Sequence, residues 1–221
     1  MNITNDLVTE YIQSFYKPSS NQLEELRKEA EVNKVPIILK ETEDFLKTIL
    51  LYRQPKNILE IGAAVGYSSS FFATICPDAK IVTIEKDEDV YKKAIDNINK
   101  LEFSDRITVK QGDAEEVTYN LKEEGFGPFD LIFIDAAKSH YKRFLDAALT
   151  NCANNGLIVS DNVLLKARTA SDIYDPRGKH KTNIRKMREY VEYIFNHHHL
   201  ETSLVSCGDG LSLSIFRGEN E

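Results

Sequence analysis

Short, strongly apolar runs alternate along this chain with longer segments in which apolar residues recur every three or four positions. The runs Ile58 to Ile61, Lys80 to Glu85, Ile107 to Val109, Phe129 to Ile134 and Gly156 to Ser160 are brief and nearly continuous, which predicts buried parallel strands. Helical spacing separates them, with Phe71, Phe72 and Ile75, then Ala94, Ile95 and Ile98, then Phe144, Leu145 and Leu149 on successive inward faces. Strands that alternate with helices predict an α/β fold built on a doubly wound sheet. Asp6 to Phe15, Gln22 to Glu31 and a segment opening at Lys40 and stopped by Pro55 predict three helices ahead of that unit. This N-terminal helical extension either covers a pocket or meets another subunit, or else packs on its own sheet. Thr202 to Ser206 and Leu211 to Phe216 alternate in polarity around Cys207-Gly208-Asp209-Gly210, the pattern of an antiparallel hairpin.

The stretch from Asn57 to Phe72 organises the rest. Gly62 and Gly66 bound a tight turn between a strand and a helix, where positive φ and close approach of a ligand to the backbone are both accessible. The helix start at Ser68 offers unpaired N–H groups to a negative group. The spacing is G-x-x-x-G after an acid, Glu60, whereas a dinucleotide site requires G-x-G-x-x-G. That acid repels a pyrophosphate and suits a cationic ligand. Glu85 ends the next strand about 20 residues on, where an acid accepts from ribose hydroxyls. The turn Gln111 to Ala114 falls beside it, so its backbone with Asp113 or Glu115 is placed to read an adenine edge.

The fourth and fifth strands end in Asp135 and in Asp161-Asn162. One acid at a strand end is ordinarily a cap or turn former. Acids from two adjacent strand ends plus an amide form a hard oxygen set that suits Mg²⁺, Mn²⁺ or Ca²⁺ and disfavours zinc. From Lys166 to Arg188 the chain turns basic, eight Lys and Arg against two Asp, within a protein of net charge −7. The ordinary reading of such a run is a solvated helix face. Its position directly after the acidic edge makes an anionic substrate a competitor.

With 221 residues and 42% apolar content, one domain spanning 1–221 has enough material for a full core. The net negative charge argues against nucleic-acid binding by overall attraction and leaves a local patch open. Cys76, Cys152 and Cys207 form no C-x-x-C pair, as expected for buried thiols in a reducing compartment. No secretory leader pattern and no apolar run near ~20 residues is present, so a cytoplasmic protein without a membrane partner is the expectation. His197, His198 and His199 sit at a helix end and point in different directions, which makes a poor metal site.

LEIGAAVGYSS at 59–69, IVTIEKD, QGDA at 111–114, FDLIFIDAAKSHY at 129–141 and LIVSDNVL at 157–164 together resemble one family. It is the class I, metal-dependent S-adenosylmethionine O-methyltransferases of the catechol and caffeoyl-CoA type, and the match runs from about Pro36 to Phe216. The resemblance implies a Rossmann-like, mostly parallel seven-stranded sheet ending in the hairpin, S-adenosylmethionine as methyl donor, and commonly a homodimer. By position, Glu60, Gly62, Gly66 and Ser68 would line the methionine part, Glu85 the ribose, and Ala114 with its neighbour Asp113 the adenine, with Asp135 also among the cofactor-binding residues. Asp135, Asp161 and Asn162 would hold the metal. Lys138 would act with Asp135 in catalysis, taking the acceptor proton or stabilising the oxyanion. Within the family the chain looks most like bacterial members that convert 5-hydroxyuridine to 5-methoxyuridine in the tRNA anticodon loop, a match resting on 175–190. On that reading Arg177, Lys179, Lys181, Arg185, Lys186 and Arg188 grip phosphates. A small phenolic substrate is the second reading, with Tyr174 as an aromatic wall in a chain without tryptophan. A non-catalytic cofactor-binding module is a third, and the assembled acid, amide and lysine set argues against it.

Overall fold

The computed structural model describes residue 3 and residues 5–218. Seven strands form one sheet: β1 (Asn57–Ile61), β2 (Lys80–Glu85), β3 (Ile107–Gln111), β4 (Phe129–Ile134), β5 (Cys152–Ser160), β6 (Leu200–Val205) and β7 (Leu211–Phe216). Their order is β3-β2-β1-β4-β5-β7-β6. The first five are parallel, and β7 enters antiparallel between β5 and β6. The predicted strands and terminal hairpin are all present. β5 starts earlier than expected, because its pairing with β4 shifts register between Phe129 and Leu131 and takes in residues from Cys152.

Alternation along the strands divides the core. Ile58, Ile81, Leu131, Phe133, Leu157 and Val159 face one side, where α2 (Asn21–Val32), α3 (Lys40–Arg53), α4 (Tyr67–Ile75) and α5 (Glu88–Lys100) bring Leu23, Leu46, Leu50, Phe71 and Ile98. Leu59, Ile61, Val82, Ile132, Ile134 and Ile158 face the other, against α6 (Ala114–Asn120), α7 (Tyr141–Leu149) and α8 (Lys181–Asn196). Chain order in the sheet reverses between β1 and β4, so the crevice beyond their carboxyl ends is where such a fold takes its ligand.

The first helix departs from one expectation. α1 (Asp6–Gln13) lies near α3, yet Leu7 and Tyr11 are 74% and 67% exposed and Phe15 beyond it is 63% exposed, so its apolar face does not pack on the sheet. α3 stops at Arg53 because Gln54 takes the left-handed conformation with φ 47° just before Pro55. Among the described residues no helix is long and apolar enough to cross a membrane. Cys76 is buried, Cys152 and Cys207 are half-buried, and all three are free thiols.

Candidate active site

The β1–α4 turn is shaped by packing as much as by any ligand. Gly62 has φ 104°, and a Cβ there would lie 2.1 Å from the Asp135 carbonyl oxygen, so the turn presses directly on the end of β4. Gly66 has φ 77° and caps α4 without a side chain. Glu85 fastens this turn from β2: its carboxylate accepts from Ala64 N–H at 3.0 Å and from Lys86 and Asp87 N–H at 2.8 and 3.0 Å.

Glu60 lies below the turn, 0% exposed, and does not reach the cavity wall. One of its oxygens accepts from Thr83 Oγ1 at 2.5 Å, while Oε1 has no hydrogen-bond partner. Burial pushes its carboxyl up to about 7, against the pull of the nearby Ser68 and Thr83 hydroxyls. Set behind the wall, this carboxylate acts on a cationic group at the Gly62 and Ser68 end of the cavity, such as the amino or sulfonium group of S-adenosylmethionine, through its field and not by contact.

Two adjoining cavities open at the switch point. One, of about 280 Å³, is bounded by Glu85, Gly112, Asp113, Ala114, His140 and Phe144. Asp113 there caps α6 by accepting from Glu115 N–H at 3.1 Å and pairs with Lys86 at 3.0 Å, and Glu115 is engaged by Arg143. The second, of about 530 Å³, runs from Gly62 and Ser68 past Asp135, Lys138, Asp161 and Asn162. Gly62, Ala64, Asp135 and Ala136 line both, so the two cavities are contiguous.

At the far side of the larger cavity the β4 and β5 ends converge. Lys138 Nζ donates to Asp135 Oδ1 at 2.6 Å and to the Tyr141 hydroxyl at 2.8 Å, and that hydroxyl donates to the Asp161 carbonyl at 2.9 Å. Tyr141 is itself held edge-on by Tyr190 of α8, with ring centroids 5.4 Å apart. Asp161 is 2% exposed, and its carboxyl is pushed well up, first by burial and then by the Asp135 charge. Asn162 follows with φ 59°, its N–H donating to Asp161 Oδ1 at 2.6 Å. Among the described residues no three of His, Cys, Asp and Glu form a cation site, and the hard donors that line this end of the cavity beside one another are the Asp135 and Asp161 carboxylates and the Asn162 amide. That donor set fits a hard divalent cation, which would offset both the burial and the mutual repulsion of the acids.

The structure thus brings together Gly62, Ser68, Glu85, Asp113, Ala114, Asp135, Lys138, Asp161 and Asn162 around two adjoining cavities, with Gly66 and Glu60 behind the turn. Of the basic run it brings only Lys166 with them. None of Arg177, Lys179, Lys181, Arg185, Lys186 and Arg188 lines either cavity. Arg185 and Lys186 pair with Glu189 at 2.5 and 2.8 Å, and Arg188 pairs with Asp172 at 2.8 Å while donating to the Thr169 carbonyl. Tyr174 also lies outside the cavity lining. Sequence reasoning missed Pro36 to Leu39 from the loop before α3 and Asp209 from the hairpin turn as wall residues, and counted Lys166 in the basic run without assigning it to the site. Lys166 sits in a run of three non-glycine residues with positive φ, Leu165, Lys166 and Ala167 at 48°, 55° and 68°. Backbone strain of that kind concentrates at ligand sites.

Known proteins are similar to this chain in sequence and in fold. A catechol O-methyltransferase of Niastella koreensis is 37% identical over 121 residues, which cover 54% of this chain and 55% of that protein, so that match spans about half of each. A caffeoyl-CoA O-methyltransferase of Populus kitakamiensis is 29% identical over 92% of this chain and 89% of its own length. Among solved structures, a Staphylococcus aureus protein provisionally named a caffeoyl-CoA O-methyltransferase superposes with TM-score 0.87 at 33% identity, covering 96% of this chain and all of that one. A Bacillus cereus O-methyltransferase in complex with SAH gives TM-score 0.81 at 25% identity, covering 96% and 97% of the two chains. The O-methyltransferase family model matches residues 13–216, which takes in both cavities and every strand, and the chain belongs to that family of S-adenosylmethionine-dependent enzymes.

Proposed function

We propose that this protein methylates one oxygen of a vicinal oxygen pair on a small hydroxylated aromatic, a substrate of catechol type. The observation that carries the reading is the convergence of Asp135, Asp161, Asn162 and Lys138 on a cavity of about 530 Å³ that shares Gly62 and Ala64 with the cofactor cavity. S-adenosylmethionine would supply a methyl carbon bonded to a sulfonium, and a divalent cation, which Asp135, Asp161 and Asn162 would hold, would supply Lewis acidity to the acceptor hydroxyl. The reaction forms an O–C bond and breaks the C–S bond, whose electron pair stays on sulfur, and the acceptor hydroxyl gives its proton to solvent water.

The chain's own residues contribute position and charge. Lys138 has three N–H donors, of which Asp135 and Tyr141 take two, leaving one for the acceptor oxygen. It stabilises the oxyanion as the proton leaves. Tyr141, bonded to the Asp161 backbone, holds Lys138 at a fixed distance from both acids. The names of the relatives support the same substrate class, one acting on catechol and others on caffeoyl-CoA.

A panel of ortho-dihydroxy aromatics with S-adenosylmethionine, with Mg²⁺ and then with EDTA, tests the reading. Monomethyl ethers that form only with the cation are expected; turnover of no diol refutes it. One observation favours a second reading, methylation of 5-hydroxyuridine at the tRNA wobble position: the local excess of six positive charges between Lys166 and Arg188. Loss of 5-methoxyuridine from bulk tRNA of a strain lacking the gene, with accumulation of 5-hydroxyuridine, would move the assignment there. In that event binding should weaken steeply with salt and on neutralising Arg185, Lys186 and Arg188.

A further inference from the structure

A buried charged cluster lies behind the larger cavity, away from the acids and the basic run. Arg27 of α2 and Glu43 of α3 are 4% and 1% exposed and meet at 2.5 Å. Tyr67, the first residue of α4 after the cofactor turn, donates to the same Glu43 oxygen at 2.5 Å and accepts from Arg27 Nε at 3.1 Å. Tyr16 donates to the other Glu43 oxygen at 3.0 Å. Arg27 Nη2 also donates to the Ile38 carbonyl at 3.0 Å, and its guanidinium lies 4.7 Å from the Tyr67 ring centroid.

Two members of this cluster, Tyr67 and Ile38, are cavity wall. One guanidinium therefore ties the Pro36 to Leu39 segment to the helix that carries the cofactor turn. A buried pair of this kind is poor as a source of stability, since well-packed apolar residues commonly do as well, whereas its hydrogen bonds are directional and fix one geometry. Neither Pro36 to Leu39 nor the loop through Tyr16 has regular secondary structure to hold it there.

We propose that Arg27 and Glu43 are positioning residues that clamp the Pro36 to Leu39 wall against the cofactor turn and so set the distance between acceptor oxygen and methyl donor. The proposal rests on the methyl-transfer reading above. Its consequence is that the N-terminal helices, remote from the acids and Lys138, govern turnover without touching a reacting atom.

The test is the double variant Arg27→Met with Glu43→Gln, which removes both charges, leaves the two tyrosine hydroxyls an amide partner and frees the Ile38 carbonyl. Four quantities are read on the full chain: thermal midpoint, S-adenosylhomocysteine affinity by calorimetry, and kcat and KM for a dihydroxy aromatic. The expected result is a near-native midpoint and cofactor affinity with kcat reduced about tenfold or more, as misplacement of reacting groups causes. A double variant that folds, binds and turns over like the parent overturns the proposal. Should it fail to fold, Arg27→Lys decides, because lysine keeps the charge and loses the fork. Reduced kcat at a native midpoint then supports the clamp, and unchanged kcat overturns it. Failure of the parent protein to methylate any diol removes the underlying reading instead, an outcome read on a different sample.

Discussion

The buried carboxyl of Glu60 gives a prediction whose size follows from the structure. The residue is 0% exposed, one oxygen lacks a partner, and its folded-state pKa stands at about 7 against an ordinary 4.5. Between those values the folded protein keeps a proton that the unfolded chain has lost, so stability falls as pH rises through this window and levels off above the folded value. The full penalty is the shift of about 2.5 units at about 1.36 kcal/mol each, roughly 3 kcal/mol. Glu60→Gln removes the titration while its amide oxygen still accepts from Thr83. Without cofactor and with chelator present, the variant should be more stable than the parent by about 1 kcal/mol at about pH 5 and about 3 kcal/mol at about pH 8. Subtracting the two curves cancels the contribution of Asp161, whose carboxyl is also raised. Urea unfolding at several pH values measures the gap, and at this chain length 3 kcal/mol moves the thermal midpoint by about 6 to 12 °C. A gap that stays constant with pH, or a variant less stable than the parent at pH 8, refutes the reasoning.

Three further outcomes are expected. Lys138→Met should lower kcat about a hundredfold or more while leaving S-adenosylhomocysteine affinity unchanged, and an unaltered kcat would remove Lys138 from the chemistry. Gly62→Ala drives a Cβ to 2.1 Å from a backbone oxygen and should cost at least about 3 kcal/mol in urea unfolding, whereas Gly125→Ala, with positive φ and nothing within 4 Å, should cost only about 1 kcal/mol; equal losses would contradict the steric account. Lys166→Gln should raise KM about fivefold for a dihydroxy aromatic acid and leave it unchanged for a neutral catechol, the difference expected for one partly solvated charge pair, and parallel changes for both would show that Lys166 reads no anion.

Much of the site was legible because its residues lie at strand ends. A buried strand announces itself by its apolar run, so the residue at its end is known to reach the sheet edge, and Glu85, Asp135, Asp161 and Asn162 were placed at that edge in this way. Strand spacing also predicted the sheet, and the change to alternating polarity after Leu200 predicted the hairpin. The basic run illustrates the opposite case. Its composition pointed to an anion, yet α8 turns Arg185 and Lys186 toward Glu189, one turn along the same helix, and Arg188 back onto its own loop. Spacing of i to i+3 and i to i+4 makes such pairing available in any helix, and charge counts cannot distinguish it from a binding surface.

The sequence by itself determined the elements, the parallel sheet, the turn with its glycines, and the acids and lysine at the sheet edge, because each follows from local spacing and backbone sterics. Only the tertiary structure decided what faces them. Tyr16, Arg27, Glu43 and Tyr67 are scattered over four segments with no common pattern, and they meet only because α2, α3 and α4 share one face of the sheet. Lys166, Asp209 and Pro36 to Leu39 enter the cavity by the paths of loops, which no periodicity encodes. The burial that raises Glu60 is likewise a property of the packed core, since a carboxylate's desolvation depends on every layer folded over it.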